Sequence, residues 1–157
     1  MFGTPSFKDI SVLVVDEGNY PRKLIREMLA RAGLRRVTEA PDGAEALAAL
    51  SDVRPEIVVL DWNLPILSGE EFIRLTRAPS TSPSPTIPII LTLSNPHKFI
   101  IEKAITLGVN EILVKPFSPK DLWSRFDEVL NKEREFIKAP NGLMRPMPRI
   151  IKKEQAA

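Results

Sequence analysis

Short apolar runs alternate along the chain with segments of helical periodicity. The apolar runs, which are the predicted strands, lie at residues 11–15, 35–40, 57–60, 87–93 and 110–114. The predicted helices lie at residues 20–33, 42–50, 68–77, 96–107 and 119–131. Buried strands that alternate with helices of this length are typical of a parallel sheet covered on both faces. The sequence therefore predicts an α/β fold with a doubly wound, five-stranded parallel sheet.

Three of the predicted strands end in charged side chains. Asp16 and Glu17 follow the first strand, Asp61 follows the third, and Lys115 follows the fifth. Taken singly, Asp16 and Glu17 are two solvated acids in a turn, Asp61 is a cap that ends a strand, and Lys115 is a lysine that ends a strand in water. A doubly wound parallel sheet, however, binds ligands at the carboxyl ends of its strands, so we expect the charged groups to converge. Together they indicate a site for a divalent metal ion and a phosphoryl group.

The local sequences around these residues resemble a known signature. They are Asp16-Glu17, residues 61–65 (DWNLP) with Ser68-Gly69, and residues 115–117 (KPF). At these spacings the combination resembles the receiver domain of bacterial two-component response regulators, in particular the stand-alone, CheY-like kind. The resemblance covers residues 8–131. It implies a flavodoxin-like fold with strand order 2-1-3-4-5.

The resemblance implies a role for five residues. Asp61 is expected to accept the phosphoryl group, and Lys115 is expected to contact it. Asp16 and Glu17 are expected to hold Mg²⁺, the implied cofactor. Asp61 and the backbone carbonyl of Asn63 complete that metal site. Glu17 departs from the family, where this position is usually an aspartate, and its extra methylene group is expected to weaken Mg²⁺ binding.

The switch region also departs from the family, whose fourth strand turns a Thr or Ser hydroxyl toward the phosphoryl group. Counting five residues on from Pro88 places Leu93 at that position. A second switch residue, commonly Tyr or Phe, is Ile112 here. We therefore expect the usual coupling between hydroxyl and aromatic ring to be absent. Two alternatives remain: Ser94 acts as a surrogate, or the loop at residues 94–98 responds electrostatically.

Length and composition indicate one domain with short flanking segments. The 157 residues divide into an arm at 1–7, the receiver domain at 8–131, and a basic, proline-containing extension at 132–157. That extension is too short for a second domain. Apolar pairs at 136–137, 143–144 and 150–151 indicate that it docks on the body or on a partner.

Charge and composition exclude several classes of partner. The net charge of +2 is too small to imply nucleic acid, and prolines interrupt any long amphipathic helix in the extension. Neither nucleic acid nor a membrane is expected as a partner. The chain has no cysteine, no apolar run near the roughly 20 residues that cross a bilayer, and no secretory pattern at its start. A cytoplasmic location is expected.

The leading hypothesis is a single-domain response regulator phosphorylated on Asp61 by a histidine kinase or a histidine phosphotransfer protein. It would catalyse only its own phosphorylation and dephosphorylation, so it is not expected to be an enzyme. Output is expected through protein contact at the fourth helix, fifth strand and fifth helix, and a homodimer is a further hypothesis. The alternative is a degenerate receiver that acts as a phosphorylation-independent interaction module. A small flavodoxin-like enzyme would need a glycine-rich loop that residues 18–21 do not supply.

Overall fold

Five parallel strands form the main sheet of the computed structural model, which describes residues 4–148. The strands are β1 (Ser11–Val15), β2 (Arg36–Ala40), β3 (Ile57–Asp61), β4 (Ile89–Leu93) and β5 (Glu111–Val114). Their order is β2-β1-β3-β4-β5, and every neighbouring pair is parallel. The predicted fold class and strand order are confirmed.

Four helices connect these strands, a fifth follows β5, and together they cover the sheet on both faces. The helices are α1 (Asn19–Arg31), α2 (Gly43–Asp52), α3 (Gly69–Arg77), α4 (Lys98–Leu107) and α5 (Pro119–Leu130). Helices α1 and α5 pack on one face through side chains that include Leu29 and Phe126. Helices α2, α3 and α4 pack on the other face through side chains that include Leu50, Phe72 and Ala104. Burial on both faces explains why the strands are continuous apolar runs.

The helices differ in how they begin. At α3, Ser68 Oγ accepts a hydrogen bond from the Glu71 backbone N–H at 3.1 Å, and the Glu71 carboxylate accepts one from the Ser68 N–H at 3.2 Å. Ser118 and Asp121 form the same capping box at α5. At α4, by contrast, the N-cap residue His97 makes no side-chain cap bond to any described residue. The amino end of α4 is therefore less firmly fixed than those of α3 and α5.

The fourth strand and the fourth helix each begin two residues later than predicted. β4 starts at Ile89, because Pro88 has no N–H for the ladder, although its carbonyl accepts a bond from the Val58 N–H at 3.0 Å. α4 starts at Lys98, because the backbone of His97 is extended, with a ψ of 137°. Neither shift moves a predicted site residue out of place.

A hairpin that the sequence analysis did not predict follows α5. Its antiparallel strands are β6 (Phe136–Lys138) and β7 (Met144–Pro146). Leu143, at the turn between them, is buried in the core cluster that also contains Leu107 of α4. The predicted extension thus docks on the body through this hairpin, while the apolar pair at 150–151 lies outside the described residues. None of the described helices is long and apolar enough to cross a membrane.

Candidate phosphoryl-acceptor site

The three charged strand ends meet at the carboxyl edge of the main sheet. Lys115 Nζ lies 2.8 Å from Asp16 Oδ2 and 3.0 Å from Asp61 Oδ2. Both aspartates are buried and Lys115 is half-buried, so the two ion pairs are largely shielded from water. The peptide bond from Lys115 to Pro116 is cis. The structure therefore brings together residues that are separated by up to 99 positions in the sequence.

Each aspartate also accepts a hydrogen bond from the backbone of the loop that follows it. Asp16 Oδ1 accepts from the Gly18 N–H at 2.8 Å, and Asp61 Oδ1 accepts from the Asn63 N–H at 3.1 Å. In both cases the side chain bonds to the residue two positions on, as short polar side chains do in turns. These bonds fix each carboxylate so that its second oxygen faces Lys115.

Burial and the two ion pairs set the ionisation of the site. Burial raises the pKa of the Asp61 carboxyl, and the negative charge of Asp16 acts in the same direction. The Lys115 ammonium and the Asn63 N–H oppose this rise without cancelling it. Burial also disfavours the charge on Lys115, but its bonds to the two aspartates outweigh burial and raise its pKa. Lys115 is thus charged at neutral pH, while Asp61 holds a proton more readily than an ordinary aspartate.

Arg22 holds the loop between β1 and α1, a role that the sequence analysis missed. Its guanidinium donates to the carbonyl oxygens of Asp16 at 2.6 Å and Glu17 at 3.2 Å, and also to Asn19 Oδ1. Its Nε donates to Glu39 Oε1 at 2.9 Å. Burial opposes the charge of Glu39, but its bonds to Arg22 and to a second arginine outweigh burial and lower its pKa. The acid pair that follows β1 is therefore anchored from β2 through Arg22.

The loop after β3 closes tightly onto the start of α3. A Cβ atom at Gly69 would lie 2.6 Å from the Asp61 carbonyl oxygen and 2.7 Å from that of Trp62, so this position needs glycine. Within the loop, Ile66 has a φ of 69° and is 83% exposed. A β-branched residue is strained at positive φ, and little of the Ile66 side chain is covered. The segment from residue 61 to residue 69 is thus compact at its base and strained at its tip.

The oxygen atoms at this edge fit Mg²⁺. The Glu17 side chain is exposed and lines a depression of about 350 Å³ next to Trp62 and Asn63. Residues 4–148 contain no group of three His, Cys, Asp or Glu side chains arranged to hold a metal ion. Mg²⁺, however, takes few carboxylates and keeps several waters, and the Asp16 and Asp61 carboxylates carry hard oxygen atoms of the kind that it prefers. This donor set suits Mg²⁺ without a direct contact from Glu17.

Leu93, the residue predicted to occupy the first switch position, belongs to the core. Leu93 is the last residue of β4, is 1% exposed and packs in the cluster under α2, α3 and α4. Thr92, one residue earlier, pairs with Asp61 in the sheet, and its hydroxyl donates to the Leu60 carbonyl at 3.4 Å. Ser94 is exposed. Leucine has no hydroxyl, and the hydroxyl of Thr92 is already hydrogen-bonded to β3 within the sheet.

Ile112, the residue predicted to occupy the second switch position, lies on β5 at the edge of the sheet. Its side chain is half-buried, and its carbonyl accepts a hydrogen bond from Arg125 Nε at 3.1 Å. Arg125 also lies 3.8 Å from Glu111. An α5 side chain thus covers part of this edge strand.

Comparison with known proteins agrees with this geometry. The family profile for the response regulator receiver domain matches residues 12–127. The chain is 34% identical over 122 residues to the chemotaxis protein CheY1 of Helicobacter pylori, covering 77% of this chain and 97% of that protein. It is also 34% identical over 124 residues to the chemotaxis protein CheY homolog of Campylobacter jejuni, covering 77% and 92%.

Solved structures show the same arrangement of strands and helices. The chemotaxis response regulator CheY4 of Vibrio cholerae has a TM-score of 0.71 at 30% identity, covering 78% of this chain and all of that chain. The receiver domain of the sensor histidine kinase PA1611 of Pseudomonas aeruginosa has a TM-score of 0.69 at 27% identity, covering 77% and 97%. That structure holds a magnesium ion coordinated in its active-site cleft. The family profile ends before β6.

Proposed function

The chain belongs to the response regulator receiver domain family, and on that premise we propose that Asp61 accepts a phosphoryl group from a histidine kinase or a histidine phosphotransfer protein. The observation that carries the proposal is the contact of Lys115 with both Asp16 and Asp61. This contact supports the proposal because the Asp61 carboxylate, which would be the nucleophile, lies beside a cation that can bind a phosphoryl oxygen. Asp16, the second carboxylate of the contact, would help to hold a metal ion.

The chemistry requires an attack by one Asp61 carboxylate oxygen on the phosphorus of a phosphohistidine. A P–O bond forms, the P–N bond breaks, and the imidazole leaves with the electron pair of that bond and takes up a proton. Lys115 then exchanges a carboxylate oxygen for a phosphoryl oxygen, and a charge-assisted bond of this kind favours the acyl phosphate. The Asn63 N–H keeps the Asp61 carboxylate aligned during the attack. The chain would thus act on itself rather than as an enzyme on another substrate.

Mg²⁺ is the proposed cofactor of this transfer. Asp16, Asp61 and the backbone carbonyl of Asn63 would hold it. When bound, it would neutralise charge on the phosphoryl oxygens. Glu17 is expected to contribute through water and to bind Mg²⁺ more weakly than the aspartate that the family usually places there. The magnesium ion in the PA1611 receiver domain supports this assignment.

Output is proposed to be contact with another protein in the cytoplasm. The candidate surface is the face formed by α4, β5 and α5, where Ile105 and Val114 are exposed apolar side chains. A homodimer through the same face remains part of the proposal. The chain is similar to two chemotaxis proteins over more than nine-tenths of their length, which supports this form of output.

Phosphorylation by a small phosphodonor tests the proposed acceptor directly. The protein is incubated with acetyl phosphate and Mg²⁺, and the mass gained by one phosphoryl group is followed by intact mass spectrometry. Asp61→Asn is expected to abolish the gain, because the amide is not a nucleophile. Asp52→Asn, at an exposed aspartate on α2, is the matched control and is expected to label normally. Unchanged labelling in Asp61→Asn would refute the acceptor.

A second candidate function is a phosphorylation-independent interaction module. The observation that favours it is that the predicted switch position holds Leu93, a buried apolar residue without a hydroxyl. Beryllofluoride, which mimics an acyl phosphate, discriminates the two functions. Mg²⁺-dependent amide NMR shifts that start at Asp61 and reach α4 would support the phosphoryl switch. Saturating beryllofluoride without any shift at α4 would favour the interaction module.

A further inference from the structure

A buried arginine from α3 holds the carboxyl end of α4. Arg77 is fully buried, and its Nε donates to the Gly108 carbonyl at 2.9 Å. Its other nitrogens donate to the Ile87 carbonyl at 2.6 Å and to Asn110 Oδ1 at 3.0 Å. Gly108 is the C-cap of α4, so the guanidinium lies at the negative end of the helix dipole. Burial lowers the pKa of Arg77 to about 9, which leaves it charged at neutral pH.

The C-terminal hairpin covers this arginine. The ring centroid of Phe136, in β6, lies 4.9 Å from Arg77 Cζ, a distance that allows a cation–π contact. Arg134, just before β6, donates to the Asn110 carbonyl at 2.6 Å. Asn110 thus accepts a hydrogen bond from Arg77 on its side chain and one from Arg134 on its backbone carbonyl. The start of the hairpin is therefore bonded to the same turn that Arg77 holds.

The far side of the hairpin contacts the last turn of α4 directly. Gly108 has a φ of 100°, and a Cβ atom there would lie 2.6 Å from the Met144 carbonyl oxygen. Asn141, at the hairpin turn, donates to the Thr106 carbonyl at 3.4 Å. Leu143 is buried in the core. The hairpin and Arg77 thus converge on residues 106–110, where α4 ends and β5 begins.

The amino end of α4 has no comparable anchor among the described residues. His97 makes no side-chain cap bond there, and Lys98 places a positive charge at the positive end of the helix dipole. The loop at residues 94–98 is exposed throughout. The two ends of α4 are therefore held unequally: its carboxyl end, far from Asp61, is fixed, and its amino end, near Asp61, is loosely held.

From this unevenness we propose that the C-terminal hairpin, residues 134–147, is an internal lock on the carboxyl end of α4. The lock holds residues 104–113 in place and leaves movement of α4 to its amino end. Local opening of a helix requires its anchoring contacts to break, so a released hairpin exposes residues 104–113 to exchange. One consequence rests on the proposed function: phosphorylation of Asp61 would rearrange residues 94–101 while the far end of α4 stays fixed.

Amide hydrogen exchange of the full chain tests the lock without any ligand. In Phe136→Ala, which removes the ring over Arg77, exchange at residues 104–113 is expected to rise about tenfold or more. Ile137→Ala is the matched control, because Ile137 is the next residue of β6 and is partly exposed. In Ile137→Ala, amide exchange at residues 104–113 is expected to stay within about twofold of that in the parent chain. A rise limited to residues 132–148 in Phe136→Ala would overturn the lock.

A milder variant keeps the test decisive if Phe136→Ala does not fold. Phe136→Leu retains an apolar side chain but removes the aromatic face, and it is expected to raise exchange at residues 104–113 about threefold. Exchange equal to that of the parent chain in this variant would count against the lock.

Beryllofluoride supplies a second readout, which does depend on the proposed function. In the parent chain, NMR shifts in α4 are expected only as far as residue 101, and in the Phe136 variant they are expected to extend to residue 113. Equal shifts in both proteins would contradict the lock. If neither protein responds at Asp61, the phosphoacceptor proposal fails, while the exchange measurement has already decided the lock.

Discussion

At the scale of the residue, Lys115 is the group on which the electrostatics of the site depend. It bonds to Asp16 and Asp61 at once, and it opposes the rise in the Asp61 pKa that burial causes. A carboxylate that must attack phosphorus has to be ionised. In the proposed function Lys115 would therefore have two tasks: it would contact the phosphoryl group, and it lets Asp61 lose its proton at a lower pH than burial alone would allow.

Lys115→Ala is expected to move the pH profile of phosphorylation as well as to slow the reaction. Removing the ammonium removes the bonds that lower the Asp61 pKa, so that pKa rises further. The rate falls as pH drops through the Asp61 pKa, and in the variant this fall begins at a higher pH. Initial rates with acetyl phosphate and Mg²⁺ across pH measure the shift. Lys23→Ala, at an exposed lysine of α1, serves as control. If the rate of Lys115→Ala falls at the same low pH as the rate of the parent chain, the role assigned to Lys115 is contradicted.

Ile66→Asn is expected to stabilise the protein. An L-residue in the left-handed region costs roughly 1–2 kcal/mol, and asparagine tolerates that region better than a β-branched residue. Because Ile66 is largely exposed, little packing is lost, and the free energy of unfolding in urea should rise by about 1 kcal/mol. Leu75→Asn, at an exposed apolar residue within α3, controls for the loss of exposed apolar surface and should bring no gain. A destabilised Ile66→Asn variant would show that the Ile66 side chain has packing that its exposure conceals.

The sequence could predict the residues that end buried strands and could not predict those that reach the site from elsewhere. Asp16, Asp61 and Lys115 each interrupt an apolar run, so strand topology alone brings them together. Arg22 lies in the first turns of an amphipathic helix, where an arginine is ordinarily solvated. Its bonds to the loop after β1 depend on the path of that loop, and no sequence period encodes this path.

At the scale of the element, α4 can be stabilised at its weak end. The backbone at His97, with a φ of −66° and a ψ of 137°, resembles that at the cap Ser68, with −69° and 164°. His97→Ser is therefore expected to cap α4, stabilising the protein by about 1 kcal/mol and slowing exchange in residues 98–101. Urea unfolding and amide exchange measure the two effects. Ser118→Ala, which removes an existing cap of α5, should lower the free energy of unfolding instead. If amide exchange at residues 98–101 does not change in His97→Ser, the amino end of α4 is not weakly held.

Local sequence signals explain which elements were predictable. Ser68 and Ser118, each followed three residues later by an acid, mark the starts of α3 and α5. α4 lacks such a signal, and its predicted start was two residues early. β6 and β7 have three residues each, too few for a period to be recognised, and their pairing depends on contacts with the end of α4. Elements held by tertiary contact alone are the ones that the sequence did not reveal.

At the scale of the whole molecule, the hairpin extends the packed structure beyond α5. The sequence predicts a receiver domain at residues 8–131 and leaves open whether the extension docks on the body or on a partner. The part of the extension that forms the hairpin docks on the body beside the start of β5, at the opposite end of the strands from Asp61. The contacts that decide this, from Phe136 to Arg77 and from Asn141 to Thr106, join distant segments without a recognisable motif.

If the hairpin and the body form one unit, loss of their shared arginine should destabilise both together. Arg77→Met leaves several buried acceptors, among them the carbonyl groups of Gly108 and Ile87, without this donor. At about 1–3 kcal/mol for each unsatisfied buried group, the loss is expected to cost roughly 3–5 kcal/mol. Arg74→Met, on the exposed side of the same helix, should cost no more than about 0.5 kcal/mol. Urea unfolding followed by tryptophan fluorescence measures both variants.

The Arg77→Met variant also tests whether unfolding is cooperative. Amide exchange in β6 and β7 should rise by the same factor as exchange in β4, because a buried cation that joins α3, α4 and the hairpin ties their opening to one event. Exchange that rose in the hairpin while β4 stayed protected would show two separable units. In that case Arg77 would hold the hairpin to the body without stabilising the sheet.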